Sequence, residues 1–125
     1  MRFIIFFFLL FLIGGTALAD IHGNEYTYTA PSGLKITLGF DAHENRYFGQ
    51  AVNRYYGAYL ASSNYIFFRP VQSTLFARAE EYMADEEDYF NFLGRVATYQ
   101  LAGTDLILIA SDGRKIHLTQ KDTNK

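Results

Sequence analysis

Apolar and polar residues alternate with a period of two in parts of the chain, and short β-prone runs fill much of the rest. Leu34, Ile36, Leu38 and Phe40 are interleaved with Lys35, Thr37 and Gly39, which predicts a strand with one buried face. Tyr26, Tyr28 and Ala30 alternate more weakly just before it, across the turn composition Pro31-Ser32-Gly33. Arg46 to Val52 and Tyr55 to Leu60 predict two further strands around a break at Asn53. Tyr65-Ile66-Phe67-Phe68 is a short β-prone run stopped by Pro70. Val96 to Leu101, Leu106 to Ala110 and Lys115 to Thr119 complete the set, joined by Ala102-Gly103-Thr104 and Ser111-Asp112-Gly113. The Asp-Gly pair tolerates the positive φ of a tight hairpin.

The period changes between Thr74 and Gly94. Tyr82, Met83, Tyr89, Phe90 and Leu93 recur at helical spacing. Asp85 reads as an N-cap, with Glu86, Glu87 and Asp88 as an acidic first turn that complements the positive end of the helix dipole. Gly94 stands where a helix stop belongs. The prediction is a mainly β (α+β) fold: a small antiparallel, partly open β-barrel of seven to eight strands with one covering helix.

The first residues follow neither period. Met1-Arg2 precedes the unbroken apolar run Phe3 to Ile13, then Gly14-Gly15-Thr16 and Ala17-Leu18-Ala19. A charged start, a short apolar core and a small-x-small exit form the plan of a secretory signal peptide, with cleavage expected between Ala19 and Asp20. At about 1.5 Å per residue, the apolar run is too short for a hydrocarbon core about 30 Å thick. The alternative is an uncleaved N-terminal anchor; with no Cys in the chain, no acyl chains can be attached at a lipoprotein cysteine. The division is therefore residues 1–19 as signal and 20–125 as one domain, expected to be periplasmic or secreted.

This division changes what composition implies. The 125-residue chain is 50% hydrophobic, but much of the excess sits in the leader, and the remainder has the apolar share of an ordinary globular domain. Net charge is −2, and loss of Arg2 makes it −3. Clustered positive charge, which dominates nucleic-acid affinity, is not indicated overall, and no nucleic acid is expected. The absence of Cys excludes disulfides, thiolate metal sites and a Cys nucleophile.

Candidate chemistry is sparse. Glu80-Glu81 and Asp85 to Asp88 lack the alternating carboxylates and central Gly of a calcium loop, so a solvated helix face is expected. His22, His43 and His117 show no zinc-helix spacing; His43 neighbours Asp41 and Glu44 in a loop, and His117 should face outward from a strand. No Gly-x-Ser-x-Gly, Walker loop or dinucleotide fingerprint occurs. No cofactor, metal or enzymatic activity is expected. Ten Tyr residues, among them Tyr47, Tyr55 and Tyr56 beside Arg46 and Arg54, suit strand packing with an amphipathic rim, a pocket or a protein-binding groove.

One stretch carries a family pattern: a strand ending in Phe40, then Gly49, Asn53, Tyr55, Gly57 and Tyr59. Thr74-Leu75-Phe76-Ala77 follows, then Glu86, Tyr89, Phe90 and Leu93, then Leu106-Ile107-Leu108 with Asp112-Gly113. In this order and spacing the chain resembles the META domain family, that of the bacterial heat-shock protein HslJ, over residues 34–119. The resemblance implies a compact β-barrel with one helix, no established enzymatic activity, and structural roles for Gly49, Asn53, Tyr55, Gly57, Tyr59 and Thr74. Physical reasons accompany the pattern: Asn53 suits a left-handed turn position, and Gly49 and Gly57 permit bends or close strand approach. Many relatives carry Cys where this chain has Val52 and Arg78, and a Trp-bearing first strand where it has only Glu25 to Ala30.

The expected function is a non-enzymatic envelope protein, stress-related, that binds a partner protein or an apolar small molecule through aromatic surface at Tyr55, Tyr56 and Tyr59. No stable membrane insertion is expected once the signal is removed. The alternative is a small-ligand carrier resembling lipocalin-like barrels, with an interior cavity lined by Phe40, Phe48, Phe67 and Phe90. An enzyme would require His43 or the acidic run to meet a second polar group in a cleft.

Overall fold

The structure, a computed structural model, describes residues 21–121. The expected signal segment and its junction at Ala19 and Asp20 lie outside the described residues. The strands are β1 (Glu25–Thr29), β2 (Lys35–Phe40), β3 (Arg46–Gln50), β4 (Arg54–Ser62), β5 (Tyr65–Phe68) and β6 (Gln72–Ser73). Helix α1 (Glu80–Leu93) follows, then β7 (Val96–Ala102), β8 (Asp105–Ala110) and β9 (Lys115–Gln120).

The sheet runs β3-β2-β1-β9-β8-β7-β5-β4, and β4 pairs back onto β3, so eight antiparallel strands close a ring. The two-residue β6 lies on β4 beyond the end of β5, with Tyr55 opposite Ser73 and Tyr56 opposite Gln72. The expected partial opening is absent. Glu25–Thr29 pairs with β2 along its whole length and with β9 at Tyr26↔Gln120 and Thr27↔Thr119. Five residues therefore close the barrel without a longer, Trp-bearing first strand. The thinnest seam is between β5 and β7, where Tyr65↔Thr98 is the registered pair and the Tyr99 N–H donates to the Asn64 carbonyl at 2.9 Å.

Closure puts alternate side chains inside. Ile36, Leu38, Phe40, Tyr47, Tyr55, Tyr59, Ile66, Phe68, Tyr99, Leu106, Leu108, Ile116 and Leu118 form the core wall. Its largest members include Tyr26, Tyr47, Tyr55, Tyr59, Tyr89 and Tyr99, so the interior is built on phenol rings as much as on aliphatic side chains.

Helix α1 covers one end of the ring. It begins at Glu80, five residues before the expected N-cap at Asp85. Ala79 occupies the N-cap position with no side-chain cap, and Glu80 and Glu81 form the acidic first turn. The predicted stop is in place: the Gly94 N–H donates to the Phe90 carbonyl. Asp85, Glu86 and Asp88 instead sit mid-helix and each holds a different barrel turn. Asp85 accepts from the Ser32 N–H at 2.8 Å, Glu86 accepts from Asn53, and Asp88 pairs with Arg114 at 2.6 Å.

Candidate functional site

Asn53, in the turn between β3 and β4, is the centre of the polar interior. Its backbone N–H donates to Glu86 Oε2 at 2.7 Å, and its Nδ2 donates to Glu86 Oε1 at 3.1 Å and to the Phe76 carbonyl at 3.2 Å. Its Oδ1 accepts from Thr74 Oγ1 at 2.9 Å and from the Phe76 N–H at 2.6 Å. One amide thereby ties the β3–β4 turn, helix α1 and the segment before the helix. Asn53 does not have the expected left-handed conformation; Ser63 is the positive-φ non-Gly residue among those described. Glu86, expected on a solvated face, is buried, and its carboxylate is satisfied by Asn53. The arrangement fastens elements together.

Gly49 and Gly57 are needed for close approach. A Cβ on Gly49 would lie 2.0 Å from the Thr37 carbonyl oxygen, and one on Gly57 would lie 2.4 Å from the Tyr47 hydroxyl. Each glycine faces a tyrosine across the strand pair, Gly49↔Tyr55 and Gly57↔Tyr47, whose ring covers the bare backbone. The Tyr55 hydroxyl donates to the Thr37 carbonyl at 2.5 Å and so accepts from the Tyr89 hydroxyl at 2.6 Å. Burial raises the pKa of both phenols well above the ordinary value, and it pushes that of Tyr47 up to about 12. Tyr47 donates to the Arg69 carbonyl at 2.6 Å. Tyr59 packs on Phe40 at 5.2 Å, and its buried hydroxyl has no hydrogen-bond partner among the described residues.

Tyr55 and Tyr59 are therefore core residues, each 1% exposed, and Tyr56, at 52%, is the member of the expected surface that faces solvent. The parity of β4 carries the reason: residues four apart share a face of a strand, and Tyr56 must point the other way. The expected Phe-lined interior is corrected likewise. Phe40 is in the core, whereas Phe48 and Phe67 stand on the outer wall, and Phe90 packs against Tyr55 at 5.2 Å.

The remaining polar candidates are dispersed. Asp41 accepts from the His43 and Glu44 N–H groups at 2.7 and 3.0 Å, which holds its carboxyl below the usual range. His117 faces outward as expected and meets Asp105 at 2.9 Å on the exposed wall. Among the described residues no group of three His, Asp or Glu is placed to hold a metal ion.

The outer wall holds what the polar candidates lack. Phe48, Tyr56, Leu60, Tyr65, Phe67, Leu75 and Phe76 are the exposed large hydrophobic residues among those described. Register brings Phe48 opposite Tyr56 and Leu60 opposite Phe67. An open groove of about 600 Å³ follows the β5–β7 seam, lined by Leu60, Tyr65, Ile66, Phe67, Val96 and Ala97 among others. Sequence reading placed some of these residues in strands but not on one wall; parity along β4 and β5 was the signal that could have done so.

A family model described as META domain matches residues 17–123 of this chain. The chain belongs to the META domain family. Solved structures agree on the fold of this META domain. A protein from Burkholderia xenovorans, determined by NMR, aligns with a TM-score of 0.67 at 16% identity, covering 86% of this chain and 88% of that one. A second NMR structure aligns at 0.61 and 12% identity, over 80% of this chain and 91% of that one. A DUF4847 family protein from Bacteroides vulgatus ATCC 8482 aligns at 0.52 and 16% identity, over 83% of this chain and 64% of that one. No curated protein matches. In this META domain the motif residues Gly49, Asn53, Tyr55, Gly57 and Thr74 gather at the helix-covered side of β3 and β4, while Tyr59 lies further along β4 in the aromatic core.

Proposed function

We propose that this META-domain protein is an exported, non-enzymatic binding or assembly module of the bacterial envelope, with a role in stress tolerance. It would be periplasmic or secreted, and it would act through the outer wall of β3, β4 and β5. The observation that carries the reading is the confinement of every exposed large hydrophobic residue among those described to the stretch from Phe48 to Phe76. Apolar side chains gathered on one wall favour a partner-binding surface. The export part rests on the apolar leader of residues 1–19. No helix among the described residues is long and apolar enough to cross a membrane.

The test is a Tyr56→Ser, Phe67→Ser double variant expressed in a strain lacking the protein, with envelope fractionation and survival under envelope stress. Both side chains face solvent, so the fold should be kept and survival should fall. Full complementation by the folded variant would sink the surface reading. Recovery of the wild type from the cytoplasm alone would sink the export reading. The carrier alternative retains one supporting feature, the apolar groove at the β5–β7 seam, in place of the interior cavity first expected. Native mass spectrometry of protein taken from its own compartment should show an adduct if that groove carries a ligand.

A further inference from the structure

The charge pattern of the exposed wall names a class of partner. All 13 acidic residues lie outside residues 45–79, whereas that stretch contains Arg46, Arg54, Arg69 and Arg78. Arg46 pairs with Glu44 at 3.1 Å, while Arg54, Arg69 and Arg78 have no carboxylate partner among the described residues. Arg78 instead stacks over Tyr82 at 4.7 Å. An acidic protein thus has one basic stretch, residues 45–79, which bears all seven large apolar side chains exposed among the described residues; Glu25, paired with Lys121, is the carboxylate that shares a groove with Phe48, Arg54 and Tyr56.

At its helix-covered end the wall finishes in Leu75 and Phe76, which are 94% and 70% exposed. Their backbone is not loose: Asn53 accepts from the Phe76 N–H, donates to the Phe76 carbonyl and accepts from Thr74 Oγ1. Two adjacent apolar side chains are therefore held outward by a buried polar clamp, beside unpaired arginines.

We infer that this wall is a seat for an anionic lipid surface, with Leu75 and Phe76 entering the headgroup boundary and Arg54, Arg69 and Arg78 facing the headgroups. This rests on the proposed binding role and names its partner. Aromatic and aliphatic side chains flanked by arginine stems suit an interface that is apolar below and anionic above. A second copy of the chain fits less well. Wall against wall would oppose arginines, and the acidic helix offers no large exposed apolar side chain to cover the wall.

The test is co-sedimentation of residues 20–125 with vesicles of phosphatidylcholine, with and without phosphatidylglycerol. That span holds the whole closed ring and its helix, and it omits the apolar leader, which would bind lipid by itself. Binding should require phosphatidylglycerol and weaken as salt is raised. Leu75→Ser with Phe76→Ser, and separately Arg54→Ser with Arg69→Ser, should each weaken partitioning about tenfold while thermal unfolding is unchanged. Lys115→Ser, a cation on the outside of β9, should have no effect. Equal binding to both vesicle types, no binding to either, or equal loss in the Lys115 variant would overturn the lipid assignment. If vesicles are not bound and the Tyr56, Phe67 variant still fails in cells, the wall serves a protein partner. If that variant complements fully, the wall reading itself falls.

Discussion

Asn53 shows how one residue can be conspicuous in sequence for a reason that only the fold supplies. Its place between two strands suggested a left-handed turn, yet its value lies in an amide that both donates and accepts. It meets a buried carboxylate on one side and the Thr74–Phe76 backbone on the other. An Asn53→Ala variant leaves Glu86 with only the backbone N–H of residue 53 as donor and leaves the Phe76 N–H and Thr74 hydroxyl without their acceptor, so it should lose about 3 kcal/mol in denaturant unfolding. Asn53→Asp is the sharper test. It sets a second carboxylate against Glu86, and the like charge should raise the pKa of the introduced carboxyl. A raised carboxyl contributes stability below its unfolded value and loses it as pH rises through the folded one. The Asp variant should therefore gain stability relative to the Ala variant between neutral pH and about pH 4. A constant gap between the two across that range would show that Glu86 is not charged against position 53.

At the scale of elements, the strands were legible and the helix start was not. Strand Lys35–Phe40 follows directly from alternation, because a ring with one buried face imposes a period of two, whereas Asp105–Ala110 is legible as a short continuous apolar run between turn residues whose alternate side chains are buried. The acidic run Asp85 to Asp88 had the composition of a helix start, but the chain was already helical from Glu80. Its carboxylates face three separate barrel turns, a role that depends on contacts far along the chain and leaves no local mark. For the same reason Glu86 was missed as a buried group. The true start is weakly marked because Ala79 has no side chain to offer the free N–H groups, although its φ of −56° and ψ of 149° suit an N-cap. Ala79→Ser should add about 1 kcal/mol, read as a higher midpoint in urea with an unchanged slope. A midpoint equal to or below the wild type would mean that the first turn is held by something other than its missing cap.

For the whole molecule, the decisive fact is that closure encloses a core of phenols. Composition announced many tyrosines, but only the closed ring shows that Tyr47, Tyr55 and Tyr89 are inside and hydrogen-bonded. That makes the barrel vulnerable to alkali. Below about pH 10, these tyrosines hold their protons in both the folded and the unfolded chain, and stability does not depend on them. Above it the unfolded chain releases protons that the interior retains, Tyr47 up to about 12, with Tyr55 and Tyr89 likewise raised well above the ordinary value by burial. Each such tyrosine then removes up to about 1.4 kcal/mol per unit of pH. The barrel should unfold cooperatively in that range, with the tyrosinate absorbance of the interior rings appearing together with loss of the β-sheet circular dichroism. Tyr55→Phe starts less stable, because the Thr37 carbonyl and the Tyr89 hydroxyl lose a partner, but it has one fewer proton to lose. Its stability should therefore fall less steeply with pH than that of the wild type. Equal slopes for the two proteins, or complete tyrosinate formation with the β signal intact, would mean that the phenols are not what holds the ring closed against alkali.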